Sequence, residues 1–333
     1  MPRPTKKIQF GTGAVADVIN VKDRIYDGIA SGASPFDWDS GYDIENEIGS
    51  IIPIKNQDGS SSCVGQAWAY YIAVLNAIET GAYVEVSPKA IYSQIALSQG
   101  GAYIREGGKL TVNWGAVLEA LVLSYDNDNP PKEPFMTDKS WMTDQISQAA
   151  KKLSAKEYRM IADVTMEVVA QGIRDNYGVV GGVYGANNGS WSTLEPEPGA
   201  KDWGHALFLG KAGKDSVGKY IATPNSWGNR FTGQWQKLRE EWFVNKYMFN
   251  PWLLVDQPNF VSAEVSDLIS QADKGLIIEN EAPGRKGIIY DGKLMEVANG
   301  REGNAAIYLL ESKGVIRRVS KIIFDQIPKG NNF

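Results

Sequence analysis

The chain has 333 residues, 43% of them hydrophobic and 22% charged, with a formal net charge of −5. That is ample for one large domain and a small second one, and its acidity argues against a nucleic-acid or membrane-surface partner, which would need a basic face. No apolar run approaches the ~20 residues of a membrane span, and no secretory h-region follows the basic stretch Met1 to Lys7.

Residues 1–34 carry several glycines and charges without a strong period, and read as an N-terminal arm or leader in preference to a short pro-segment. A globular domain is expected over residues 35–255. Within it, the polar loop from Asn56 to Ser62 gives way at Cys63 to apolar residues at helical spacing: Ala67, Tyr71, Val74, Leu75 and Ile78. Gly81 stops the run, so the spacing predicts a helix over 63–80 that buries most of one face. Ser87-Pro88 predicts a second helix with Pro in its first turn, and residues 114–121 a third. Between those two lie Gly100-Gly101 and Gly107-Gly108, while the Asp/Asn/Pro cluster over 126–134 marks a crossing between halves.

Beyond the crossing, residues 143–152 read as a helix, 158–162 as a strand, 166–176 as a helix and 179–185 as a Gly-rich strand. Residues 203–210 form an apolar strand, and 218–222 lead into Thr223-Pro224-Asn225-Ser226-Trp227-Gly228. After Trp252 the texture changes. Residues 265–333 read as a small β-rich accessory domain, with strands at 276–278, 287–290, 293–297, 305–310 and 321–324. Asp291-Gly292 is its two-residue hairpin turn. So small a module with few chemistry-bearing side chains fits a docking role, for a partner of unspecified kind, better than a second catalytic centre.

Cys63 is the only cysteine and His205 the only histidine. One thiol and one imidazole are the minimum for a thiol–base pair, and no cofactor or metal is implied. A cysteine in the first turn of a helix meets unpaired N–H groups and the positive end of the dipole, which favour a thiolate. A single cysteine also excludes an intramolecular disulfide and points to synthesis in a reducing compartment, the cytoplasm.

Gln57 stands six residues before Cys63, His205 lies on a strand, and Asn225 opens Asn-Ser-Trp-Gly twenty residues after His205. Together with Pro35-Phe36-Asp37-Trp38 and the run Ile52 to Gln57, these pieces resemble the papain family of cysteine peptidases over roughly residues 35–248. The resemblance implies an α+β, papain-like two-lobed fold, with a helical left lobe and a β-rich right lobe. It implies hydrolysis of protein or peptide substrates through a Cys63 thioester. His205 would be the general acid and base, Asn225 would orient its far ring nitrogen under the Trp227 ring, and Gln57 would hold the oxyanion with the Cys63 N–H. A Gly-Gly strip that pairs with substrate backbone is assigned to Gly107 and Gly108, with Gly100-Gly101 an equal alternative, and Gly204 beside His205 is a further substrate contact. Two features depart from the family. Ser60 stands where secreted relatives have a disulfide cysteine, and Val64 where an aromatic usually follows the nucleophile. A papain scaffold retained without turnover, or a related acyl transferase or amidase, are the alternative readings.

Overall fold

A computed structural model describes residues 13–18, 20–26, 35–57, 59–125, 132–255, 277–280, 286–290, 293–297 and 316–319. Contacts divide the chain into two compact units, residues 1–75 with 83–258 and residues 76–82 with 259–333.

The helix that begins at the cysteine spans Cys63–Thr80, as its spacing predicts. Its surroundings differ from the one-sided burial that spacing implies, because every residue from Cys63 to Leu75 is buried. Small residues let neighbours close in on the otherwise polar-looking sides. At Gly65 an added Cβ would stand 2.7 Å from the Pro88 carbonyl and the Tyr92 Cβ, so the helix Pro88–Ile95 crosses there. That second helix starts as expected, with Pro88 in its first turn and the Ser87 side chain accepting from the Ala90 N–H.

The third helix is not where periodicity places it. It spans Ile104–Asn113, and residues 114–121 are not helical. Gly115 breaks the pattern: its φ is +99°, and a Cβ there would lie 1.8 Å from the Ala150 carbonyl. The segment spends its backbone bonds on residues 85–87 instead, with Ser87 N–H donating to the Val117 carbonyl and Glu119 N–H to that of Glu85. The shift also corrects the assignment of the Gly-Gly strip. Gly107 and Gly108 are buried inside the Ile104–Asn113 helix, and a Cβ on Gly107 would meet Trp68 Cδ1 at 2.1 Å. They let the helix lie against the Trp68 indole, whose Nε1 donates to the Ile104 carbonyl at 2.9 Å. They do not present backbone to a substrate.

Sheets dominate the following residues. A five-stranded sheet runs in the order Ile25–Tyr26, Glu157–Ile161, Met248–Val255, Val179–Gly185, Trp203–Leu209. The pairing of Val179–Gly185 with Trp203–Leu209 is antiparallel and unbroken, and sets Val183 opposite His205. A four-stranded sheet follows in the order Gln236–Leu238, Lys219–Thr223, Lys211–Lys214, Tyr42–Asp43. The helix Met166–Asn176 is capped by the Thr165 side chain, which accepts from the Val168 N–H. Helices first and mostly antiparallel sheets second make this an α+β arrangement.

In the second unit the strands run in the order Lys293–Val297, Lys286–Tyr290, Ile277–Asn280, Ile316–Val319. Tyr290 pairs with Lys293, the register of a two-residue hairpin. Ile316–Val319, which the sequence did not signal, pairs parallel with Ile277–Asn280. The strands expected at 305–310 and 321–324, and the Asp291-Gly292 turn itself, lie outside the described residues. Nothing in this sheet identifies a docking partner. Among the described residues no helix is long and apolar enough to cross a membrane, and no group of three or more His, Cys, Asp or Glu is placed to hold a metal.

The Trp68 contact is testable. In an open helix Gly→Ala gains about 1 kcal/mol of propensity, but forcing a methyl into a filled site costs about 1–3 kcal/mol or more. With a rigid indole 2.1 Å away, the clash should win, and denaturant titration of Gly107→Ala should show a net destabilisation.

Candidate active site

Cys63 is fully buried at the start of its helix. The loop before it is held by hydroxyls. The Ser60 Oγ donates to the Gln57 carbonyl at 2.8 Å and lies 2.8 Å from the Ser62 Oγ. The Ser60 hydroxyl thus ties this loop together through hydrogen bonds. Burial pushes the Cys63 thiol up to about 12, against the backbone N–H groups of Ala206, Val64, Cys63 itself and Ala14, which lower it. The Ala206 N–H thus sets the sulfur beside the residue that follows His205.

His205 is also fully buried, on the strand Trp203–Leu209. Its Nε2 lies 2.8 Å from the Asn225 Oδ1, while its Nδ1 has no hydrogen-bond partner in the structure. The Trp227 ring stacks on the imidazole, with centroids 4.3 Å apart and planes 19° from parallel. Trp191 and Trp203 meet the imidazole edge-on. Burial in this aromatic box pushes the imidazole down to about 4, and the Asn225 hydrogen bond raises it only in part. With the thiol up and the imidazole down, both groups are neutral near pH 7 in this form. Desolvation thus opposes the thiolate that the helix start alone favours.

Asn225 takes a left-handed backbone, φ +57°, a conformation Asn tolerates better than most residues. Its N–H donates to the Thr223 Oγ1 at 3.0 Å, and its Oδ1 also accepts from the Ser226 N–H at 2.6 Å. Its carbonyl accepts from the Tyr70 hydroxyl at 2.9 Å, and that hydroxyl accepts from the Lys55 N–H at 2.5 Å. The central helix therefore grips both the loop carrying Gln57 and the loop carrying Asn225. Gln57 is buried between them. Its N–H donates to the Ser226 carbonyl at 2.7 Å, its Oε1 accepts from the Ser226 Oγ at 2.5 Å, and its Nε2 donates to the Ser60 carbonyl at 3.2 Å. Gln57, Cys63, His205, Asn225 and Trp227 are thus gathered in one place.

The chain's own N-terminal segment lies across this place. Ala14–Val15 pairs in parallel with Ala102–Tyr103. The Gly13 N–H donates to the Gly204 carbonyl at 3.0 Å, and the Gly13 carbonyl accepts from the Ala102 N–H at 2.8 Å. Gly204 and Gly101 make the approach possible: a Cβ would stand 2.2 Å from the Ala14 carbonyl at Gly204 and 2.3 Å from that of Gly13 at Gly101. At Gly101, of the alternative glycine pair, the backbone that comes close is the chain's own Gly13. Gly204 lies on the same strand as His205. The sequence places residues 13–15 in an arm without a strong period, since two short apolar residues carry no signal of the pairing partners Ala102 and Tyr103.

No protein-family model matches the sequence, and no curated protein matches it. Solved structures do match in fold. One is xylellain, a cysteine protease from Xylella fastidiosa, at 17% identity and a TM-score of 0.60, covering 76% of this chain and 99% of that one. Procathepsin B S9 from Trypanosoma congolense matches at 12% identity and 0.58, over 74% and 86% of the two chains. Digestive procathepsin L 3 of Tenebrio molitor larval midgut matches at 11% and 0.55, over 74% and 76%. The chain has the papain-like cysteine-protease fold.

Proposed function

We propose that this protein is a cysteine peptidase whose thiol, in the form described, is covered by its own N-terminal segment. The observation that carries the reading is the 2.8 Å bond from His205 Nε2 to Asn225 Oδ1, which leaves the buried Nδ1 without a partner, on the strand whose next residue meets the Cys63 sulfur. A ring held by one nitrogen with the other bare is a positioned proton acceptor. Once the segment withdraws and solvent or substrate enters, Nδ1 takes the Cys63 proton. The sulfur then attacks the peptide carbonyl, and the resulting oxyanion is held by the Cys63 N–H and the Gln57 amide. His205 returns its proton to the departing amine, leaving a thioester that water hydrolyses with the same ring as base.

Labelling with an active-site-directed epoxide or vinyl sulfone should modify Cys63 in a chain shortened by residues 1–18. The full chain should label at least about tenfold more slowly, the factor that ~1.4 kcal/mol of docking supplies. Cys63→Ala should fold and hydrolyse no fluorogenic peptide. Asn225→Ala and Gln57→Ala should each lower kcat by about 10²-fold, with smaller changes in KM. A shortened chain that neither labels nor turns over would identify a scaffold without catalysis.

The segment is fastened further on by Asp17. Its carboxylate accepts from Trp252 Nε1 at 2.7 Å and from the Arg105 N–H at 3.2 Å, and its own N–H donates to the Asn250 Oδ1 at 2.8 Å. Arg105 also pairs with Asp23 at 3.1 Å. Burial is the largest influence and pushes Asp17 up to about 6, while the Trp252 and Arg105 contacts lower it. A carboxyl with a higher pKa when docked takes up a proton on docking. The segment is thus held most firmly below about pH 4, and its hold weakens as pH rises toward about 6. Asp17→Asn keeps the acceptor without the charge. The ratio of wild-type to variant Cys63 labelling rates, which cancels thiol ionisation, should rise from near one at pH 4 to roughly tenfold at pH 7. Partial exposure of the carboxylate keeps it below the hundredfold ceiling of a two-unit shift.

A further inference from the structure

The polar chain behind His205 does not stop at Asn225. The Asn225 Nδ2 donates to the Gln236 Oε1 at 2.5 Å. The Gln236 Nε2 in turn donates to two backbone carbonyls, those of Trp191 at 3.1 Å and Thr193 at 2.7 Å. Gln236 is buried at 2% exposure, and its strand sets it opposite Thr223, two residues before Asn225.

The direction of every bond in this chain is forced from its far end. A backbone carbonyl only accepts, so the two carbonyls demand the NH₂ end of Gln236. That turns the Gln236 oxygen toward Asn225 and demands the NH₂ end of Asn225 in its turn. The Asn225 oxygen must then face His205, so His205 Nε2 must carry its proton. The ring's other nitrogen is left as a bare lone pair, the form a base for Cys63 requires. The Ser226 N–H supports the same orientation of Asn225 from its other side, but only Gln236 satisfies the buried NH₂ group. Without that acceptor, a flip of Asn225 that offers NH₂ to the imidazole and stabilises the opposite tautomer loses much of its cost.

We infer that Gln236 is a positioning residue that fixes the tautomer of His205 through Asn225, anchored on the carbonyls of Trp191 and Thr193. Its consequence for turnover rests on the peptidase reading above, whereas its effect on the imidazole does not.

His205 is the only histidine, so ¹⁵N-histidine labelling of the full chain gives one imidazole to observe. At neutral pH the wild type should show a protonated Nε2 and an unprotonated Nδ1. Gln236→Leu should shift both nitrogens toward intermediate values. Gln236→Glu keeps an oxygen toward Asn225 while setting the other against two carbonyls, so it should melt lower than the leucine variant yet retain the wild-type tautomer. A merely structural role predicts no change of tautomer in either. In the turnover assay Gln236→Leu should lower kcat about tenfold, a fraction of what general-base help contributes, with KM within twofold. If the leucine variant does not fold, Gln236→Met, unbranched and of similar length, takes its place. A wild-type ring protonated on Nδ1, or a folded leucine or methionine variant with an unshifted tautomer, overturns the inference. Absence of peptide turnover in the shortened wild type sinks the peptidase reading and leaves the NMR result to decide this one.

Discussion

The arrangement hangs on the enclosure of the helix Cys63–Thr80, buried on every side from Cys63 to Leu75. A helix so enclosed must satisfy each polar side chain it carries, and two consecutive tyrosines do so by fastening other parts of the chain to it. Tyr70 bridges Lys55 and Asn225. Tyr71 donates to the Asn176 carbonyl at 2.8 Å and accepts from the Leu254 N–H at 3.2 Å, tying in the end of one helix and a strand of the five-stranded sheet. The same packing that buries the helix thus sets the relative positions of Cys63, Gln57 and Asn225. Breaking it would loosen core and site together.

Burial also governs the charge state. Helix dipole and local N–H groups favour a thiolate at Cys63, but each is worth far less than removing the group from water. His205 meets the same penalty inside its tryptophan box. With residues 13–15 in place both groups are driven neutral, so covering the site also makes the sulfur a poor nucleophile. The Cys63 shift arises mainly from desolvation, so water or a polar substrate beside the sulfur draws the thiol back down, whereas His205 keeps the enclosure of Trp191, Trp203 and Trp227. Burial of the sulfur thus limits both its access and its ionisation.

Two strained residues carry the polar side chains that this coupling needs. Asn225 sits at φ +57° and Asn250 at +43°. The first aims one amide at His205, Ser226 and Gln236. The second sits where the Met248–Val255 strand loses register between Phe249 and Trp252, which re-aims its oxygen toward the Asp17 N–H. Strain of this kind persists only where the surroundings over-determine it, and both side chains are held by partners distant in sequence.

The sequence by itself determined the chemistry-bearing residues and most local elements. Cys63, His205, Gln57 and Asn225 could be named because each is unique or lies in a short ordered motif. The helices at 63–80 and 166–176 and the strand at 179–185 follow from periodicity and caps, all local properties. Tertiary structure decided what depends on close approach. Gly107 and Gly108 serve the Trp68 indole, Gly101 and Gly204 serve the N-terminal strand, and no spacing rule separates those two uses of glycine. Gln236 carries no signal at all, because a glutamine on a short strand is ordinary until two carbonyls and an asparagine surround it. Residues 13–17 look featureless for the same reason. A parallel pairing and a buried carboxylate exist only when distant partners arrive, and those partners are named by the fold alone.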